Sequence, residues 1–231
     1  MLRLVRMTAR VDAIDSPSPN FNDRAGPVSH IMLHYTGMET GAAALARLCD
    51  AEAKVSAHYM VEEDGRIFRL VSDDKRAWHA GKGCWAGITD MNSASIGIEI
   101  VNGGHDFGLP DFPDVQIEAV IALVREILAR HAIPAKNVIG HSDFAPDRKQ
   151  DPGEKFPWKR LADAGCAIWP EGSGDVSPDP AADLDAIGYD TGLPLADAVS
   201  AFQRRFRPSR VDGQVDEETA RLVHAVAVLS R

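Results

Sequence analysis

Cysteine is scarce in this chain: there are three among 231 residues, Cys49, Cys84 and Cys166. An odd count at such wide separations builds neither a disulfide framework nor a CxxC zinc knuckle. The three read as small buried hydrophobes in a reducing or redox-indifferent compartment, with Cys166, after the helical stretch WKRLADAG, as a partly exposed thiol. A positive charge excess is also missing. Lys and Arg number 25 against 34 Asp and Glu, a net charge of −9, so electrostatic attraction to nucleic acid or an anionic membrane is excluded as a binding principle. No apolar run approaches the ~18 residues of a membrane span. The leading stretch MLRLVRMTARVDAIDSPSP places Arg3, Arg6 and Arg10 where an export signal needs ~7–15 apolar residues. That reading favours the cytoplasm, with the periplasm or cell envelope as the alternative.

What is present is ordinary for a globular protein, 45% hydrophobic and 26% charged, with enough chain to bury a core. The composition changes once, at WPEGSGDVSPDP (169–180), where proline, glycine and acids crowd out any apolar face and predict a linker. It separates residues 1–168 from a tail at 181–231. In the first part VSHIMLHY (28–35) reads as a buried strand, and GAAALARLCD (41–50) as a helix. HYMVEED (58–64) and RIFRLV (66–71) flank Asp64-Gly65 as a hairpin. SIGIEIV (95–101) reads as a central strand, residues 114–131 carry a helical apolar stripe, and NVIGH (137–141) is a short strand. This order predicts an α/β domain with helices packed on a mixed central β-sheet. In the tail, Leu195, Val199, Phe202 and Phe206 form one helical stripe, and Asp216 caps a second helix at 217–229.

Two histidines stand out by position among eight. His34 closes the first strand, and His141 ends another, ten residues before Asp151 in RKQDPG. Two imidazoles and one carboxylate, with a fourth position left to water, make the open tetrahedral site of a catalytic zinc. Loops after strand ends are where α/β sheets place such groups. His30 lies on the same strand face as His34 but roughly 13 Å away, too far to share a metal. Tyr35, adjacent to His34, is expected to point to the opposite face and pack. His105, His131 and His224 carry no motif and read as structural.

The motifs LHYTG (33–37), AHYMVEEDG (57–65), AWHAG (77–81), SIGIEIVN (95–102) and GHSDFAPDRKQDPG (140–153) together resemble the zinc-dependent N-acetylmuramoyl-L-alanine amidases, the amidase-2 family, in order and context. The fold implied is that of the animal peptidoglycan recognition proteins. The tail, with GYD (188–190), AVSAFQRRFRP (198–208) and VDGQVDEETARLVHA (211–225), resembles a small three-helix peptidoglycan-binding domain. The two-part layout is similar to AmiD-type amidases.

Carried residue by residue, the resemblance implies one zinc held by His34, His141 and Asp151, with Glu99 and Lys149 as catalytic residues. Glu99 fits acid–base work on the attacking water and leaving amine, and a Lys149 ammonium suits a tetrahedral oxyanion. A carboxylate inside SIGIEIV is costly to bury without a partner or a metal nearby. His58, Tyr59, Trp78, His79 and Asn102 are expected to line the substrate cleft. Arg204, Arg205, Arg207 and Arg210 form a local basic cluster, read either as a contact for wall carboxylates or as a solvated helix end. The function implied is hydrolysis of the bond between N-acetylmuramic acid, in intact or 1,6-anhydro form, and L-alanine, by a monomer acting on peptidoglycan or muropeptides. A non-catalytic recognition protein and a zinc peptidase acting within the stem peptide are the alternatives.

Overall fold

The computed structural model describes residues 11–172 and 174–231. Arg3, Arg6 and Arg10, on which the export reading rests, lie outside the described residues. Among the described residues, eight strands form two sheets. β1 (Ala13–Asp15), β3 (His30–Tyr35), β4 (Tyr59–Val61), β5 (Ile67–Arg69), β7 (Ser95–Ile100) and β8 (Val138–Gly140) build the main sheet in the order β1-β5-β4-β7-β3-β8. β2 (Phe21–Asp23) and β6 (Lys75–Ala77) pair antiparallel as a small second sheet. β4 and β5 form the expected hairpin, and every other neighbour in the main sheet is parallel. The sheet is therefore mixed, as the motif order predicts.

The long central strands are buried on both faces, one apolar and one carrying His30, His34, Ser95 and Glu99, and each face has its own cover. On one face Ile31, Leu33, Ile96, Ile98 and Ile100 pack against α3 (Asp114–His131) and α5 (Trp158–Asp163). The stripe Ile117, Val120, Val124 and Ile127 of α3 supplies that contact. On the opposite face Met60 packs with Ala44 and Leu48 of α1 (Gly41–Cys49), whose first turn is capped by Thr40. Met32 and Ile139, also on that face, meet the tail.

The tail is three helices, α6 (Pro180–Ile187), α7 (Leu195–Phe206) and α8 (Glu217–Leu229), the last capped by Asp216 as its sequence suggests. Val199, Phe202 and Phe206 of the stripe are buried, while Leu195, at the helix start, is 41% exposed. These helices share one continuous core with Met32, Trp85, Met91, Ile139 and Phe144. Tyr189 also pairs with Trp85 as a β-bridge, and the Ala86 N–H donates to the Gly188 carbonyl. The linker itself is partly docked: Trp169 packs on Phe206, and Pro170 is buried. Cys166, expected as a partly exposed thiol, is fully buried because it follows α5 into the core. No described helix is long and apolar enough to cross a membrane.

Because the core is continuous, one cooperative thermal transition is expected rather than two. Phe202→Ala, at a fully buried site between the tail and the sheet, should cost about 3–5 kcal/mol. That corresponds to a Tm lowered by roughly 6–20 °C in a chain of this size, read by differential scanning calorimetry.

Candidate active site

The register of the sheet assembles the site. β3 and β7 run parallel with His34 opposite Glu99, so both side chains leave the same face at the carboxyl ends of their strands. β8 lies on the other side of β3 and delivers His141, the first residue of a one-turn helix, α4 (His141–Phe144), rather than the end of the strand itself. Asp151 returns ten residues later. Its carbonyl accepts the Ser142 N–H at 2.9 Å, which ties the two loops together.

Among the described residues, one group of His, Cys, Asp or Glu side chains could hold a metal ion: His34, His141 and Asp151, all buried. His34 Nδ1 lies 3.0 Å from His141 Nδ1 and 2.9 Å from Asp151 Oδ2, and His141 Nδ1 lies 3.0 Å from the same oxygen. The tautomers follow from the surrounding hydrogen bonds. His141 Nε2–H donates to the Ala80 carbonyl at 2.8 Å, which leaves its Nδ1 as a lone pair. The Ser95 hydroxyl donates to the Met91 carbonyl and accepts from His79 Nε2–H. His79 Nδ1 is then an acceptor for His34 Nε2–H at 3.0 Å, so His34 Nδ1 also presents a lone pair. Burial, with His141 adding to it, lowers the His34 pKa to about 4, and burial holds His79 well below its ordinary range. Burial pushes the Asp151 carboxyl up, but the His141 and His34 contacts outweigh it and hold it well below the usual carboxylate range. Three electron-pair donors thus meet within about 3 Å with no proton between them, an arrangement that fits a divalent cation.

His79 occupies its place because residue 97 is glycine: a Cβ there would lie 2.6 Å from the imidazole ring. Glu99 reaches the same cleft, where its Oε2 is buried without a hydrogen-bond partner among the described residues. Burial first, then the Asp151 charge, raise its carboxyl well above the usual range, opposed by Lys149. The cleft, about 490 Å³, is lined by His34, His79, Glu99, His141, Lys149 and Asp151 together with Tyr35, Arg47, His105 and Arg148.

Of the five residues expected to line the cleft, His79 does so and four do not. His58 is wholly buried, where its Nδ1 accepts the Gly97 N–H. Tyr59 points to the far face of the sheet and donates to Asp73. Trp78 donates its indole N–H to Asn22, and Asn102 braces its own loop through Pro110 and Gly104. Two residues read as structural do line the cleft. Tyr35, the last residue of β3, swings its ring over Gly104 and donates to His105 Nδ1 at 3.0 Å. His105 in turn donates to Glu154 at 3.0 Å. The paired glycines of GGHDFG, which turn that loop back, are the sequence signal that was available. The basic cluster is neither a free patch nor a solvated helix end. Arg204 faces Glu154, Arg205 binds Asp143, Arg207 binds Asp216 and Glu218, and Arg210 binds Asp212 and Asp216.

A mixed sheet that gathers metal-capable donors and an unpartnered carboxylate at one cleft is the layout of a hydrolase. Residues 24–154 match the family described as N-acetylmuramoyl-L-alanine amidase, and the chain belongs to that family and is an amidase. It is 35% identical over 226 residues to the N-acetylmuramoyl-L-alanine amidase AmiD of Escherichia coli strain K12, covering 85% of this chain and 81% of that protein. The solved complex of Escherichia coli AmiD with the substrate anhydro-N-acetylmuramic acid-L-Ala-D-gamma-Glu-L-Lys superimposes with TM-score 0.78 and 33% identity, covering 90% of this chain and 92% of that one. AmpDh3 from Pseudomonas aeruginosa, in complex with anhydromuramic pentapeptide, matches with TM-score 0.77 and 35% identity over 97% of both chains.

His79→Ala removes the acceptor that fixes the His34 tautomer. Titration with a divalent cation against a competing chelator should show affinity weakened about 10–100-fold, with the fold intact by circular dichroism.

Proposed function

We propose that the chain is a zinc-dependent hydrolase of the amide between the lactyl carbonyl of N-acetylmuramic acid, including its 1,6-anhydro form, and L-alanine of the stem peptide, in cell-wall turnover. The observation that carries this reading is the buried, unpartnered Glu99 Oε2 on the same sheet face as His34, in the cleft where the three donors meet. The substrates bound in the solved relatives support the substrate class. The donor chemistry supports zinc, because two neutral imidazoles and one carboxylate suit it. His34, His141 and Asp151 would hold the ion, which when bound acidifies water and polarises a carbonyl.

The chain's own residues do the rest. Glu99 accepts a proton from the attacking water through the lone pairs of Oε2. It holds that proton until the C–N bond breaks and passes it to the leaving amine nitrogen. Lys149 lines the cleft, and its ammonium is assigned to the oxygen on which negative charge develops. Arg148, which also lines the cleft, is committed to the carbonyls of Ala80 and Lys82 and holds the 145–151 loop against AWHAG. Division of the chain into 1–168, linker 169–180 and a wall-contacting module at 181–231 is part of the same proposal and rests on the resemblance of the tail. A monomer is proposed because one chain supplies the whole donor set.

Purified protein is expected to carry about one equivalent of zinc by elemental analysis. A chelator should abolish release of L-alanyl peptide from anhydro-muropeptide, scored by mass spectrometry, and zinc should restore it. Full turnover by rigorously metal-free protein would refute the zinc assignment.

Glu99→Gln keeps the shape and removes the proton acceptor. Its kcat is expected to fall about 10²–10⁴-fold with zinc still bound. A loss under threefold would make Glu99 structural.

A further inference from the structure

Two consecutive arginines of α7 reach back to the two loops that carry His141 and Asp151. Arg205 is the buried one. Its Nη1 donates to Asp143 Oδ2 at 2.9 Å and its Nη2 to the Val138 carbonyl at 3.1 Å. The guanidinium lies 4.1 Å from the Trp158 ring centre, where aromatic and cation fix its plane. Asp143 also accepts the Gly140 N–H at 2.8 Å and the Tyr189 hydroxyl at 2.6 Å. Three donors therefore saturate one carboxylate that is fully buried, and two of them come from the tail. Arg204 lies 3.6 Å from Glu154, three residues after Asp151.

Asp143 sits two residues after His141 within the single turn of α4. A one-turn helix has too few internal hydrogen bonds to fix its own orientation. The direction of the His141 imidazole thus depends on what grips the turn from outside. The Asp143 carboxylate is the strongest such grip, because a buried charge tolerates little displacement from its partner.

We propose that Arg205, acting through Asp143, is a positioning residue for His141, so that the carboxy-terminal bundle is a structural part of the metal site. This rests on the reading that His34, His141 and Asp151 hold zinc. Arg205→Met keeps the aliphatic stem over Trp158 and removes the charge, leaving Asp143 buried against uncharged partners. The carboxylate must then shift toward water, and α4 turns with it.

The test compares zinc affinity of wild type and Arg205→Met, using zinc ions alone against a chromophoric chelator, at a temperature where circular dichroism shows both folded. Affinity should weaken about 10–100-fold, the scale of lost support for a metal ligand. On soluble muropeptide, kcat at sub-saturating zinc should fall while KM stays within about twofold, since Arg205 is remote from the cleft lining. If Arg205→Met does not fold, Tyr189→Phe removes a single hydrogen bond to the same carboxylate, with about fivefold weaker zinc binding expected. A lowered Tm with zinc affinity unchanged within threefold would overturn the proposal and leave Arg205 as an interface staple. Wild-type protein that takes up no zinc would overturn both this proposal and the functional reading.

Discussion

Three electron-pair donors are buried within about 3 Å of one another, two imidazole lone pairs and a carboxylate oxygen. Such a group repels itself, and in a low-dielectric setting the repulsion is not screened by water. Left to relax, the His34 and His141 rings would turn away from one another. Each instead has its other nitrogen committed: His141 to the Ala80 carbonyl, and His34 to His79, which Ser95 orients in turn. Much of the surrounding sequence is explained by this requirement. AWHAG supplies both the Ala80 carbonyl and His79, and Gly97 gives the His79 ring its space. Motifs scattered over 120 residues are thus parts of one orienting shell.

The same crowding divides the two carboxylates of the site. Asp151, in contact with both imidazoles, is held ionised, whereas Glu99 is buried without a partner and feels the Asp151 charge. Environments that push two neighbouring acids in opposite directions separate their duties, one as a permanent anion and one as a group that exchanges protons. Parallel register is what permits this. With His34 directly opposite Glu99, a one-residue slip between β3 and β7 would turn Glu99 to the α3 face and bury it among isoleucines.

How far the sequence reveals this depends on the range over which each feature is determined. β3, β7 and α3 are legible because their apolar pattern runs long enough to show its period. β1, β2 and β6, with sequences AID, FND and KRA, are three-residue pieces whose pairing is decided by the strands beside them. His34, His141, Asp151 and Glu99 are legible through motifs. Tyr35 is not, because strict alternation holds only inside a strand, and at its last residue the ring is free to swing over Gly104. His105 depends on a loop folded by glycines on both sides, Gly104 and Gly108. The basic cluster misleads for a different reason. Asp143, the acid that satisfies Arg205, lies 62 residues away, and charge that looks free in sequence is consumed by contacts across the fold.

The tail raises the question of why a core otherwise closed by Phe202, Phe206 and Trp85 contains an ion pair at all. Replacing a buried pair with apolar side chains of similar volume is commonly neutral or stabilising, so stability alone does not account for it. An apolar contact would, however, let α4 slide or rotate, since packing is indifferent to small turns about its own axis. A carboxylate held by a guanidinium, a phenol and a backbone N–H has one orientation that satisfies all three. Directionality is what the position two residues after His141 requires, and the sheet cannot supply it, because β8 ends at Gly140. The helices that resemble a separate module therefore add a charged, directional constraint to those the α/β part supplies through the carbonyls of Ala80 and Asp151.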